Sequence, residues 1–389
     1  MKKKILIVLN HLTIGGVQKT LVTASKVFDY EKYDITIYLR KNRTDLLPYI
    51  DKQANIIIND DRHHYYRKPY CVMLQFLIWT LSFFKKQSLA DRFEKKLNLV
   101  IMNYAMKYEH KKYFRNNSYD VAIAYVHGYP ALLVNRYVNA DKKIIFFRES
   151  EDSLHDIHNE IIKDFDKVLA LHSTHKDLIA QWYPSIKDRI EILENYTDQD
   201  SIFDQSNAFE VKLSTNKFIL CSCGRIEKVK GFELAVEAAK ILKEQNQEFV
   251  WYFVGDGTER KSIENKIKQY NLCDYIKITG MEKNPYPYIA ACNLYVQPSF
   301  AESYGNTIVE ANKLNKAVVS TSTVGGTKLI TNEVNGLLCE INAYSLAQAI
   351  LKLITNSELR GKITNHLQNK DYSQELQRYK EQWDNILEG

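Results

Sequence analysis

The sequence predicts an α/β protein built as two doubly wound, Rossmann-like domains that face a central cleft. Short apolar runs alternate with helical patterns, the signature of βαβ units around buried parallel sheets. These runs form two sets, separated at residues 195–216 by a polar stretch without sustained periodicity. The chain's 389 residues are enough for two full cores, and 45% hydrophobic with 26% charged residues is the balance of a folded globular protein.

In chain order, the first set predicts strands at 5–9, 35–39, 55–58, 121–126, 143–147 and 167–171. The second predicts strands at 218–223, 249–255, 275–280, 294–299, 317–321 and 336–340. The domains are read as 1–196 and 217–370, with 197–216 as linker and 371–389 as a final helix returning to the first domain. In such folds the carboxyl ends of the strands face the ligand crevice.

The start, MKKKILIVLNHL, has a short apolar run and no small-residue cleavage site after it, so it is expected to be a strand. No apolar stretch approaches the roughly 18 residues needed to span a bilayer, and a cytoplasmic location is expected. Six cysteines without metal-ligand spacing read as thiols in a reducing compartment. Cys221 and Cys223 are expected on opposite faces of their strand. The net charge of +6 is unevenly placed: residues 62–115 alone carry +9 and the rest is slightly acidic. Within this segment, 70–84 is apolar but too short to span. It suits an interfacial position with Trp79, Phe83 and Phe84 at headgroup depth and Lys85-Lys86 beside anionic lipid. A peripheral place on the inner membrane face is therefore expected, and no nucleic-acid partner.

Four motifs carry the chemistry. Gly15-Gly16 follow the first strand and open a helix near Val17, allowing a tight turn and close approach to a ligand. In CGRIEKVKG, Gly224 and Arg225 follow a strand and Lys230 comes five residues later, a rigid fork and a mobile charge suited to a departing diphosphate. FVGDG places a turn at the cleft rim. In PSFAESYGNTIVEAN, Glu302 precedes a Gly305-Asn306 turn, a helix is expected from Thr307, and Glu310 is expected in its first turn. A helix N-terminus flanked by two carboxylates suits a ligand with an anionic middle and hydroxyl-bearing ends, such as a nucleotide sugar. Asp198-Gln199-Asp200 spells D-x-D, but its place in the expected linker argues against a metal role.

With GGVQK, DVAIAYVHGYP, GRIEKVKG, FVGDGTERKSIE, NPYPYIAACNLYVQPS and ESYGNTIVE in this order, the chain resembles the retaining GT-B glycosyltransferases of family 4, which use nucleotide-sugar donors. The resemblance spans nearly the whole chain and is densest at 217–340. It implies that Glu310 holds the ribose hydroxyls and Glu302 contacts the donor sugar. It also implies that Gly305, Asn306 and Thr307 hold the diphosphate through backbone amides, with Arg225 and Lys230 on the same group. Gly16 would lie near its distal phosphate and His127 beside the transferred sugar. Where many members read EGFG or EGFP, this chain has Glu302-Ser303-Tyr304-Gly305, a departure that bears on donor identity. FFRESED replaces a histidine-containing sequence of some relatives, placing Arg148, Glu149 and Glu151 at the acceptor side.

The resemblance implies a hexosyl transfer without a metal cofactor, with a UDP-sugar favoured as donor. The acceptor would be a glycan or lipid-linked saccharide in cell-surface polysaccharide assembly. No Ser-His-Asp or Cys-His nucleophile arrangement is evident. A nucleotide-sugar epimerase of the same fold and a non-catalytic partner subunit are the competing readings.

Overall fold

The computed structural model describes residues 1–59, 100–148, 161–211 and 216–388. Each of the twelve expected strands is present. In the first domain β1 (Lys3–Leu9), β2 (Tyr33–Leu39), β3 (Asn55–Ile58), β4 (Tyr119–Ala124), β5 (Ala140–Phe146), β6 (Lys167–Ala170) and β7 (Ile190–Ile192) form one sheet. Its order is β3-β2-β1-β4-β5-β6-β7, and its pairings are parallel. Strand β7 was not foreseen: an edge strand of three residues reading Ile-Glu-Ile is too short to show a period.

The second sheet, also parallel, has the order β10-β9-β8-β11-β12-β13. Its strands are β8 (Phe218–Cys223), β9 (Phe249–Val254), β10 (Ile276–Gly280), β11 (Leu294–Gln297), β12 (Val318–Thr321) and β13 (Gly336–Cys339). The fold is α/β with two Rossmann-like sheets.

Each strand supplies two faces. Ile5, Ile7 and Leu9 enter one core, with α1 (Gly16–Ser25), while Leu6 and Val8 enter the other, with α2 (Tyr129–Tyr137) and α3 (Ser173–Trp182). Period two also corrects the expectation for Cys221 and Cys223. Residues two apart in a strand share a face, and the two sulfurs lie 3.6 Å apart as free thiols in one core cluster.

The expected linker is not featureless. It holds α4 (Gln199–Ser206), capped by Asp198 accepting from the Ser201 N–H at 3.2 Å, and Ile202 packs into the second domain. Only Ile202 and Ser206 of this short helix are buried, which leaves too few apolar positions for a helical period to show. Asp198 thus caps a helix, and among the described residues no cluster of three or more His, Cys, Asp or Glu could hold a metal.

In the second domain α5 (Phe232–Glu244), α6 (Arg260–Gln269), α10 (Ala343–Thr355) and α11 (Ser357–Gln368) cover one face. Helices α4, α7 (Tyr286–Ala291) and α8 (Asn306–Lys313) cover the other, with α9 (Val324–Leu329) beside α8. Helix α12 (Ser373–Glu388) leaves this domain and buries Tyr379, Trp383, Ile386 and Leu387 in the α1 face of the first. Trp383 meets Phe28 edge-on at 5.0 Å between centroids.

The interfacial membrane segment expected at 70–84 lies outside the described residues. The described end of the basic stretch is core: Ile101, Ala105, Met106 and Phe114 pack on the first sheet. No helix among the described residues is long and apolar enough to cross a membrane.

Trp383→Ala removes the largest apolar group that α12 lends to the first domain. We expect it to destabilise the protein by about 3–5 kcal/mol, read as a lowered thermal midpoint; an unchanged midpoint would mean that α12 adds little to the first domain.

Candidate active site

Strand order sets where the site lies. In the first sheet the chain steps one way from β1 through β2 to β3, then returns to place β4 on the other side of β1. The second sheet does the same around β8 and β11. A crevice opens at the carboxyl ends of the strands where the direction reverses. Gly15-Gly16 follow β1, His127 follows β4, Gly224-Arg225 follow β8 and Glu302 follows β11.

Between the two domains lies a cavity of about 440 Å³. It is lined by Gly16, Gly224, Arg225, Lys230, Glu302, Gly305, Asn306, Thr307 and Glu310, nine of the ten residues that the sequence marks as catalytic or donor-binding, and by Arg148, expected at the acceptor side. The tenth, His127, is on the loop between β4 and α2 and is not among the lining residues. Gly16 is packed close: a Cβ there would stand 3.0 Å from Asn306 Nδ2 of the facing domain. Gly305 has φ +90, a left-handed conformation that favours glycine, and turns the chain from Glu302 into α8.

Glu302 is held from three sides. Its Oε1 accepts from Lys230 Nζ at 2.6 Å, Gln297 Nε2 at 2.8 Å and Ser299 Oγ at 3.0 Å. Gln297, the last residue of β11, is itself oriented, because its Oε1 accepts from the Tyr295 hydroxyl at 3.0 Å and from Thr307 Oγ1 at 2.8 Å. Strand end, acidic loop and the first turn of α8 are therefore one hydrogen-bonded unit. Lys230 has three N–H donors and Glu302 uses one. Arg225 stands at the rim, largely exposed, paired with Glu227 at 2.7 Å.

Helix α8 begins at Asn306, which puts Glu310 in its second turn and not its first. Glu310 Oε1 accepts from the Tyr286 hydroxyl at 3.1 Å and from Lys19 Nζ at 3.3 Å. Lys19, one turn into α1 of the opposite domain, also donates to the Tyr286 oxygen at 2.9 Å and lies 4.6 Å above that ring. Burial pulls the Lys19 ammonium down, but the Glu310 charge and the Tyr286 hydroxyl outweigh it and hold the pKa above the ordinary lysine value. Burial, followed by the Glu310 charge, raises the Tyr286 phenol as well. Glu310 Oε2 is shielded from solvent and has no hydrogen-bond partner among the described residues, so one acceptor remains for a hydroxyl donor. Lys19 and Tyr286 were missed in the sequence, although each stands inside a quoted motif. Neither is adjacent to Glu310 in the chain.

The turn after Glu302 is gripped by the first domain. His172 Nε2 donates to the Ser303 carbonyl at 2.8 Å, Asn195 Nδ2 donates to Asn306 Oδ1 at 2.9 Å, and the Tyr304 hydroxyl donates to the Asn195 carbonyl at 3.1 Å. Glu149 and Glu151 lie outside the described residues.

Comparison with known proteins bears on the second domain and on the fold. Residues 204–370 match the family model "Glycosyl transferases group 1" and form a domain of that group. An uncharacterized glycosyltransferase of Methanocaldococcus jannaschii is 24% identical over 67% of this chain and 76% of its own. The N-acetylgalactosamine-N,N'-diacetylbacillosaminyl-diphospho-undecaprenol 4-alpha-N-acetylgalactosaminyltransferase of Campylobacter jejuni is 26% identical over 66% of this chain and 72% of its own. Among solved structures, Anabaena HepE in complex with UDP and glucose superposes with a TM-score of 0.72 at 16% identity, over 99% of both chains. That likeness identifies the fold as GT-B.

His172 makes the cap of α3 sensitive to acid, while its bond to the Ser303 carbonyl can be donated by either state of the ring. Its Nδ1 caps α3 by accepting from the His175 N–H at 3.2 Å, which requires the neutral ring. Burial holds its pKa below 6.5. Between that lowered value and 6.5 the unfolded chain binds a proton that the folded chain does not, so stability falls as pH drops below about 6.5 and is fully present above it. His172→Gln keeps an acceptor and a donor without titrating. Thermal midpoints from pH 5 to 7.5 should therefore fall less steeply for the variant; identical slopes would remove His172 as the cause.

Proposed function

We propose that this protein is a retaining, metal-independent glycosyltransferase. It moves a hexose-type sugar from a nucleotide-sugar donor, UDP-linked by preference, to a glycan or lipid-linked saccharide in cell-surface polysaccharide assembly. One observation carries the reading: Arg225, Lys230, Glu302 and Glu310 line a single cavity at the carboxyl ends of two facing parallel sheets. The group 1 domain at 204–370 supports transfer of a sugar. The UDP and glucose bound to HepE support the donor class, and the diphospho-undecaprenol in the Campylobacter relative's name supports a lipid-linked acceptor. Such an acceptor is met at the inner face of the cell membrane.

In this reading the spare oxygen of Glu310 accepts from a ribose hydroxyl. The diphosphate lies against the N-terminus of α8, where unpaired backbone N–H groups favour an anion. Lys230 and Arg225 stabilise the negative charge that grows as the diphosphate leaves. Glu302, fixed by Gln297, Ser299 and Lys230, contacts the sugar hydroxyls. The acceptor oxygen attacks the anomeric carbon on the face that the diphosphate vacates. The carbon–oxygen bond to phosphate breaks with its electron pair going to the leaving group, a phosphate oxygen takes the acceptor's proton, and the anomeric configuration is kept. His127, outside the cavity lining, has a place beside the sugar only by family resemblance.

Arg225→Ala and Lys230→Ala should each lower kcat more than tenfold, since removing one preorganised donor costs about 2–4 kcal/mol in the transition state. Glu310→Gln should chiefly raise the KM for the donor. Near-normal turnover in both cation variants would reject this site.

Thermal stabilisation by a panel of UDP-, GDP- and other nucleotide sugars identifies the donor, and UDP-sugars should lead it. Turnover should persist in EDTA, and NMR should show the donor's anomeric configuration kept in the product. Loss of turnover in chelator, restored by Mn²⁺ or Mg²⁺, would contradict the metal-free mechanism, and an inverted product would contradict retention.

A further inference from the structure

Four cations line the cavity among the described residues: Lys19, Arg148, Arg225 and Lys230. Three are matched by carboxylates, on Glu310, Glu227 and Glu302. Arg148 is not. Its guanidinium lies 3.6 Å from the ring centroid of Phe146 and 4.7 Å from that of Tyr125, so aromatic faces cover it. Its edges are unsatisfied. Among the described residues, Nη1 donates to Asn195 Oδ1 at 3.5 Å and the Tyr125 hydroxyl is a further polar neighbour, while Nε and Nη2 are shielded from solvent and have no hydrogen-bond partner.

Stacking supplies no counter-charge, and a buried cation without one is destabilising. Burial accordingly lowers the Arg148 pKa, and the groups that act against this are the Tyr125 and Tyr379 phenols, not carboxylates. Arg148 stands two residues past the end of β5, and its backbone carbonyl accepts from Ser303 Oγ at 3.3 Å. Its backbone thus lies against the turn that follows Glu302, and Arg148 and Glu302 line the same cavity, while Lys19 and Glu310 pair with each other.

We propose that Arg148 is the binding site for an oxyanion, a carboxylate or a phosphate, brought beside Glu302 by the sugar end of the donor or by the acceptor. The planar fork matches two oxygens of such a group. The contact to Asn195 is at the limit of a hydrogen bond and is easily given up. Turning within its own plane, the guanidinium keeps its stack on Phe146 while offering Nη1 and Nη2 to the cavity. The inference rests on reading the cavity as the donor site, and it adds an anionic substituent to the substrate beyond the nucleotide diphosphate.

The test compares the full-length protein with Arg148→Gln, Arg148→Lys and Arg148→Met by calorimetric titration. The probes are UDP, UDP-glucose, UDP-glucuronate, and pyrophosphate added over saturating UDP. We expect one anionic probe to lose about ten- to hundredfold in affinity in the Gln and Met variants, with partial retention in the Lys variant and unchanged binding of UDP. Loss confined to UDP-glucuronate places the oxyanion on the donor sugar. Loss confined to pyrophosphate places it on the acceptor.

Equal binding of every probe by wild type and Arg148→Gln would overturn the proposal. So would an equal loss for UDP alone, which would assign Arg148 to the nucleotide diphosphate. Without added probe, the thermal midpoint of Arg148→Met should equal or exceed that of wild type. A lower midpoint with unchanged probe binding would make the residue a packing group and end the idea. If UDP does not bind wild type, it is the donor-site reading that fails. Pyrophosphate alone then decides on Arg148, with equal affinity in Arg148→Gln against it.

Discussion

One short turn, Ser303 to Asn306, is where the two domains meet and where the acidic residues of the cleft are placed. It must join the loop bearing Glu302 to the helix bearing Glu310, and it must fit against the first domain. Gly305 provides the left-handed backbone for the first task. His172 and Asn195, from the opposite domain, provide hydrogen bonds for the second. A shift of this turn would move Glu302 and Glu310 together, and it would also disturb Thr307 and its bond to Gln297. The positions of the cavity's acidic groups are thus not independent of the domain arrangement.

The electrostatics follow the same plan. Lys230 with Glu302 and Lys19 with Glu310 are ion pairs whose members are mostly shielded from water. Bringing such charges out of water is unfavourable, and each pair is tolerable because further donors share the load. Gln297 and Ser299 act this way for Glu302, and Tyr286 does so for Glu310. Among the described residues, the lining cation without a carboxylate partner is Arg148; Arg225, at the exposed rim, is paired with Glu227.

Much of the architecture was legible because parallel strands buried on both faces read as unbroken apolar runs, and helices between them read as amphipathic. What stayed hidden has specific causes. Strand β7 and helix α4 are too short for a period to emerge. The cysteine pair was placed on opposite faces although residues two apart in a strand share one. Glu302, Glu310, Gly16 and Lys230 could be read from glycine turns and carboxylate spacing. Lys19 and Tyr286 could not, since their significance is a matter of who stands across the cleft; Arg148 was expected at the acceptor side by resemblance, but its lack of a carboxylate partner among the described residues was not. Lys19 and Glu310 are 291 positions apart.

That division has a consequence for how such a chain changes substrate. The region matching the group 1 family covers 204–370 and holds Arg225, Lys230, Glu302 and Glu310. Gly16, Lys19, Arg148, His172 and Asn195 all lie before it. They close the cavity, pair one of its carboxylates and grip its central turn. Substitutions in the first domain can therefore alter the charge and shape of the cavity while leaving every motif of the second domain intact. Here the first domain brings Arg148 to the cavity, a cation without a carboxylate partner among the described residues, and no motif in the second half of the chain encodes it.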